Sequence, residues 1–135
     1  MAKHFEIVVF TAAMKLYADP VLDVLDPNQQ LIRFRLYHDS CVQHDGTGKS
    51  TFHVKDLSFL GRDLSQVVIV DNSPKSFVLH PHNAIGCSSF KDSPKDKELQ
   101  LIATFLMAIK GERDVRGICH RWRDWHSSHL AQRND

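Results

Sequence analysis

Val67-Val68-Ile69-Val70-Asp71-Asn72-Ser73-Pro74 is the stretch that decides the fold. Four β-branched residues in succession predict a strand buried on both faces, as in a parallel sheet covered by helices. The run stops at an aspartate and a turn-forming Asn-Ser-Pro. Ligands of open α/β sheets bind beyond the carboxyl ends of the strands, so Asp71 stands where such a fold places its chemistry. Phe5-Glu-Ile-Val-Val-Phe10 repeats the pattern upstream and runs into Thr11.

Working outward, a helix is expected from about Ala13 to Asp26. Leu16, Val21, Leu22 and Leu25 can share one face, and Pro20 marks a kink or a fresh start. Asp26 to Gln30 reads as a turn, and Leu31 to Tyr37 alternates like a half-exposed strand. Cys41 to Val54 reads as a hairpin or loop, Leu57 to Leu64 as a short helix and turn, and Asn83 to Cys87 as a short strand after the apolar segment Ser76–Leu79. Lys95 to Lys110 has helical periodicity through Leu99, Ile102, Phe105, Leu106 and Ile109, with Gly111 as its stop. A last helix is expected through Val115, Ile118, Trp122 and Trp125, with Ser127 to Asp135 frayed. Strands alternating with helices predict an α/β domain around a mostly parallel central sheet.

Composition narrows the function classes. With 17 basic and 16 acidic residues the 135-residue chain carries a formal charge of +1, so nucleic acid is not an expected partner. Its apolar runs are far too short to span a bilayer. Cys41, Cys87 and Cys119 are widely spaced and odd in number, which predicts free thiols in a reducing compartment.

An aspartate just past a buried strand can hold a hard cation such as Mg2+. A threonine hydroxyl at another strand end can hydrogen-bond a phosphate oxygen, and Lys55 can add a point positive charge. An Asx-turn, a helix cap and a solvated lysine explain the same residues equally simply. Gly46-Thr-Gly-Lys-Ser50 has Gln43 where a phosphate-binding loop needs its first glycine, and no apolar strand precedes it, so a plain loop is expected. His80, His82, His120, His126 and His129 are expected at the surface or in packing rather than on a metal. The tail around 113–125 is either packed on the domain itself or a partner-binding helix.

Five segments then add up to a likeness. Val8-Val-Phe-Thr11-Ala-Ala, Tyr17-Ala-Asp-Pro20, Val54-Lys-Asp-Leu-Ser58, Leu60-Gly-Arg-Asp-Leu64 and Val70-Asp-Asn-Ser-Pro74 occur in this order, followed by His80-Pro-His-Asn-Ala84. Over residues 4–110 the chain resembles the small C-terminal-domain phosphatases and their dullard (nuclear-envelope phosphatase) relatives in the haloacid dehalogenase superfamily. The resemblance implies a three-layer fold and Mg2+-dependent removal of phosphate from phosphoserine or phosphothreonine in a protein. It implies a nuclear, nuclear-envelope or cytoplasmic setting. It gives Thr11 the hydrogen bond to the phosphoryl group, Lys55 the neutralisation of nucleophile and phosphate, Asp71 the Mg2+ and Asn72 a place beside it. His38 stands where these phosphatases usually have an arginine that contacts the phosphopeptide, and a histidine offers no bidentate fork. The domain is expected over 4–110, with a helix and tail over 111–135.

One motif is absent. The family's nucleophile lies in Asp-x-Asp-x-Thr/Val at the end of its first strand, and no two aspartates here are separated by one residue. The first strand itself is expected to be missing. Without the first aspartate no aspartyl-phosphate forms, and without the second there is no general acid or base. The chain by itself is therefore expected to be inactive. The readings left open are a phosphatase domain lacking its N-terminal piece, a non-catalytic binding module, and a dullard-like regulator, which would need a membrane anchor. Loss of the strand is also expected to bring Phe5–Phe10 into direct pairing with Val67–Val70, or to leave exposed edges that self-associate.

Overall fold

The computed structural model describes residues 1–45, 51–89 and 96–133, which fall into two compact units, Met1–Asp56 and Leu57–Asp135.

In the first unit β1 (Val8–Phe10) runs parallel to β2 (Phe34–Leu36), in the register Val8–Phe34, Val9–Arg35, Phe10–Leu36. Parallel neighbours need a crossover, and α1 (Lys15–Leu25) supplies it. The helix runs unbroken through Pro20, so this proline does not mark a fresh helix start. It ends where Pro27 follows Asp26 and Gln29 takes φ +54°, a left-handed value. The buried Asp26 carboxylate fastens this turn by accepting the backbone N–H groups of Gln30, Leu31 and Ile32 at 2.9–3.2 Å. These bonds, that from Ile32 first, hold its carboxyl pKa below the ordinary carboxylate range.

Burial in this unit departs from the pattern. β1 is half-buried along its length rather than covered on both faces. On α1 only Ala18 and Leu22 are buried, while Leu16, Val21 and Leu25 are 60–76% exposed. A polar lattice holds the helix to β2 instead: Arg35 donates to Asp19 and Asp23 at 3.0 and 2.9 Å, and Tyr37 donates to Asp19. The expected hairpin is present as β3 (Val42–Asp45) antiparallel to β4 (Thr51–Val54), Val42 facing Val54. Gly46–Ser50 lies outside the described residues.

In the second unit β5 (Ile69–Asp71) runs parallel to β6 (Ala84–Gly86). Buried Asn83 closes the approach to β5 by donating to the carbonyls of Leu64 and Val67 at 2.7 and 2.8 Å. Behind the strands α2 (Glu98–Ile109) buries Leu101, Ile102, Phe105 and Ile109 against Ile85, Val115, Cys119 and Trp122. Leu99, counted toward the apolar face from periodicity, is 70% exposed. Gly111 follows the helix at φ +95°, a conformation that glycine adopts without a Cβ penalty.

The tail is more ordered than expected. α3 (Trp122–Arg133) replaces the frayed end, because Trp122 and Trp125 both pack on Phe105 with tilted rings and the Trp125 ring stacks on His129 at 3.7 Å. Val115, Cys119 and Trp122 are spent on the unit's own core, so the 113–125 segment is not laid out as a bare partner helix. Among the described residues the strands form three two-stranded sheets, two of them parallel. The molecule is thus mixed α/β with short parallel strand pairs. The expected direct pairing of Phe5–Phe10 with Val67–Val70 is not among these registers. No described helix is long and apolar enough to cross a membrane. All three cysteines are free.

Candidate functional site

In the first unit three of the expected residues lie just past strand ends, Thr11 and His38 after the parallel pair and Lys55 after the antiparallel hairpin. Thr11 follows β1, and its N–H continues the sheet by donating to the Leu36 carbonyl at 2.9 Å. Its Oγ1 accepts the Ala13 N–H at 3.0 Å, which turns the chain sharply away from the strand. His38 follows β2 and is tied to the same turn, its N–H donating to the Ala13 carbonyl at 3.0 Å. The Cys41 thiol spans the two segments, donating toward the Thr11 and Tyr37 carbonyls at 3.7 and 3.9 Å. Thr11 and His38 are thus clamped to one short loop.

Lys55 follows β4 directly and is 8% exposed. Its ammonium lies 6.0 Å from the ring centre of Phe10, the residue before Thr11. A buried lysine is uncommon, because its charge must be offset by nearby partners. The placement rules out the solvated lysine that the sequence alone allowed. The Thr11 hydroxyl fastens a local turn and does not cap α1, whose N-cap position is Met14, so the helix cap that the sequence alone allowed is not formed.

In the second unit Asp71 is the last residue of β5. Its Oδ1 accepts the Ser73 N–H at 2.9 Å, an Asx-turn that fixes the carboxylate at the strand end. Its carbonyl accepts the Cys87 N–H at 3.0 Å, so β6 ends alongside it. Asn72 donates from Nδ2 to the Ser89 hydroxyl at 2.9 Å. A carboxylate offers about four hard lone-pair sites. Mg2+ is commonly held by one or two carboxylates, with water and substrate phosphate filling the remaining positions. Among the described residues no three His, Cys, Asp or Glu side chains gather to hold a metal. The Asp71 carboxylate fits a Mg2+ ion whose other positions would be filled by water and phosphate.

Sequence reasoning missed His53. It lies on β4 two residues before Lys55, and its Nε2 stands 2.9 Å from that of His38. Nothing in the spacing of 38 and 53 signals the meeting. Only the register of β3 with β4 and the turn after β2 produce it.

The family model described as "NLI interacting factor-like phosphatase" matches residues 1–116. Over 121 residues the chain is 46% identical to the human "CTD small phosphatase-like protein", covering 90% of this chain and 42% of the relative. Over 123 residues it is 44% identical to the human "Carboxy-terminal domain RNA polymerase II polypeptide A small phosphatase 1", covering 91% and 45%. It is 46% identical over 112 residues to "CTD small phosphatase-like protein 2" of Dictyostelium discoideum, covering 83% and 19%. The chain spans less than half the length of each of these relatives.

Proposed function

This chain belongs to the NLI interacting factor-like phosphatase family, and from that premise we propose that its site addresses a phosphoserine or phosphothreonine of a protein substrate with the help of Mg2+. Thr11 would hydrogen-bond the phosphoryl oxygens and Lys55 would neutralise them. Asp71 would hold Mg2+ with Asn72 beside it, and His38 would face the peptide. The ion, when bound, would draw charge from the phosphate oxygens. The observation that supports this reading best is Lys55, a cation buried at a strand end next to the loop that clamps Thr11. The two parallel strand pairs would belong to a three-layer, haloacid-dehalogenase-like domain. A relative named for the RNA polymerase II polypeptide makes the nucleus the compartment we propose.

Turnover is a separate matter. No Asp-x-Asp occurs anywhere in the 135 residues, so this polypeptide has no aspartate pair to serve as nucleophile and acid. Uncatalysed phosphate-monoester hydrolysis needs up to ~10^21-fold acceleration, which a lysine and one metal carboxylate do not supply. That observation favours a second reading, a phosphatase-like module that binds without turning over. Loss of a nucleophile in a well-studied hydrolase costs on the order of a millionfold. The 135-residue chain is accordingly expected to show no Mg2+-dependent hydrolysis of para-nitrophenyl phosphate. Turnover that disappears in Asp71→Ala would overturn the expectation. A chain extended by an Asp-x-Asp segment should gain activity and lose it again with Lys55→Ala. Gain of activity separates the two readings, and an unchanged rate in Lys55→Ala removes Lys55 from the site.

A further inference from the structure

His38 and His53 are both half-buried, with Nε2 2.9 Å from Nε2, ring centres 4.6 Å apart and ring planes at 55°. An in-line N–H···N bond would separate the ring centres by the nitrogen distance plus half a ring on each side, which exceeds 4.6 Å. The ring axes are therefore bent off the line between the nitrogens, and a hydrogen bond weakens steeply with such bending. Bent axes suit a third atom addressed by both nitrogens.

The spacing selects that atom. Two N–H donors on one phosphate oxygen would each stand roughly 2.7–3.2 Å from it. With their nitrogens only 2.9 Å apart, the two protons would crowd each other. Two imidazole lone pairs on one metal ion need only about 2.0–2.1 Å each, which places adjacent ligand nitrogens about 3 Å apart. The mounting is firm at both ends. His53 sits on β4 next to the fully buried Val54, and the backbone of His38 is held by the Ala13 carbonyl.

We propose that His38 and His53 form a two-imidazole site for a borderline divalent transition-metal ion of the Zn2+, Ni2+ or Cu2+ class. Both rings carry their proton on Nδ1 when the ion is bound, leaving the Nε2 lone pairs to donate. Among the described residues no cluster of three metal-binding side chains exists, and two imidazoles leave coordination positions that water can fill. Nitrogen donors suit these ions and not Mg2+, which prefers oxygen. The site is thus chemically distinct from a carboxylate site at Asp71.

The test is a Zn2+ titration of the 135-residue chain at neutral pH, followed through the imidazole nitrogen resonances. The expected result is that Nε2 of His38 and Nε2 of His53 move together and saturate at one equivalent. This needs no substitution and so does not depend on a variant folding. Calorimetry should show binding weakened by more than about tenfold in H38Q and in H53Q, since loss even of an outer-shell partner costs 10–100-fold. Binding in H126Q/H129Q should be unchanged. Zn2+ that leaves both Nε2 resonances in place overturns the proposal. So does affinity that survives H38Q and H53Q, or displacement of Zn2+ by equimolar Mg2+.

Discussion

The two units solve the same problem with different materials. Leu57–Asp135 gathers seven further buried residues with Phe105, and the rings of Phe105, Trp122 and Trp125 pack together between α2 and α3, the two tryptophans stacked. Among its described residues Met1–Asp56 buries only Ala18, Leu22 and Val54 of the apolar ones, and leaves Leu16, Tyr17, Val21, Val24 and Leu25 exposed on a single helix. Its order comes from directed polar contacts: Arg35 between Asp19 and Asp23, and the Asp26 carboxylate on three backbone N–H groups. Apolar burial is roughly additive and tolerates small displacements, whereas a hydrogen-bonded lattice depends on angle and on charge. The unit that holds Thr11, His38 and Lys55 is therefore expected to be the one more easily disturbed by its medium.

The largest effect should come from emptying the core. Phe105→Ala is expected to cost about 3–5 kcal/mol in the second unit, whereas Leu22→Ala in the first should stay near ~2 kcal/mol, the low end for leucine. Denaturant melts can be read unit by unit, because Trp122 and Trp125 belong to the second unit and Tyr17 and Tyr37 to the first. Equal losses in the two variants would break the comparison.

Thiol chemistry sharpens it next. Burial pushes the Cys119 thiol up to about 11, and its residue is only 1% exposed. At pH 8 its thiolate is roughly two hundredfold scarcer than that of an ordinary cysteine near 8.5. Alkylation of the native chain should therefore reach Cys41 first and Cys119 last, with peptide mapping as the readout. Cys87 should also lag, because burial and then the charge of Glu98 raise its thiol. Early labelling of Cys119 would show that the second core opens readily.

The smallest effect is the response to acid. A hydrogen bond from Tyr37, then those from Arg35 and the charge of Lys15, hold Asp19 below its ordinary value of 3.8, and the backbone N–H groups do the same for Asp26. Both are depressed in the folded state, so the stability they contribute is complete above 3.8 and is lost as pH falls through the folded values. Asp63 and Asp114 in the second unit are depressed too, but they are exposed and solvent weakens their contribution. Tyrosine signals should accordingly lose their native form at a higher pH than tryptophan signals on acidification. The reverse order would mean that the polar lattice carries little of the first unit.

Most of the element order was legible in the sequence, because period, turn residues and strand-end polar residues are local signals. Val67–Val70 running into Asp71, the helix stopped by Gly111 and the hairpin before Lys55 all depend on near neighbours. What a residue touches is not local, and there the reading fell short. Periodicity on α1 predicted an apolar face but could not tell that most of it would stay exposed. Chain ends tend to fray, which is why Ser127 to Asp135 are expected to, yet Trp125 and His129 stack across one helical turn and carry the helix to Arg133.

The sequence by itself determined the chemistry available: an aspartate and a threonine at the ends of apolar strands, a lysine after a hairpin, and no Asp-x-Asp. Tertiary structure decided which of these groups are withdrawn from water and which meet. Lys55 is buried because β4 ends beneath Phe10 rather than in solvent. His38 meets His53 across fifteen positions because two separate strand pairings bring their ends together. No spacing rule along a chain encodes such a meeting, since it follows from strand register and loop direction, which exist only once the backbone has closed on itself.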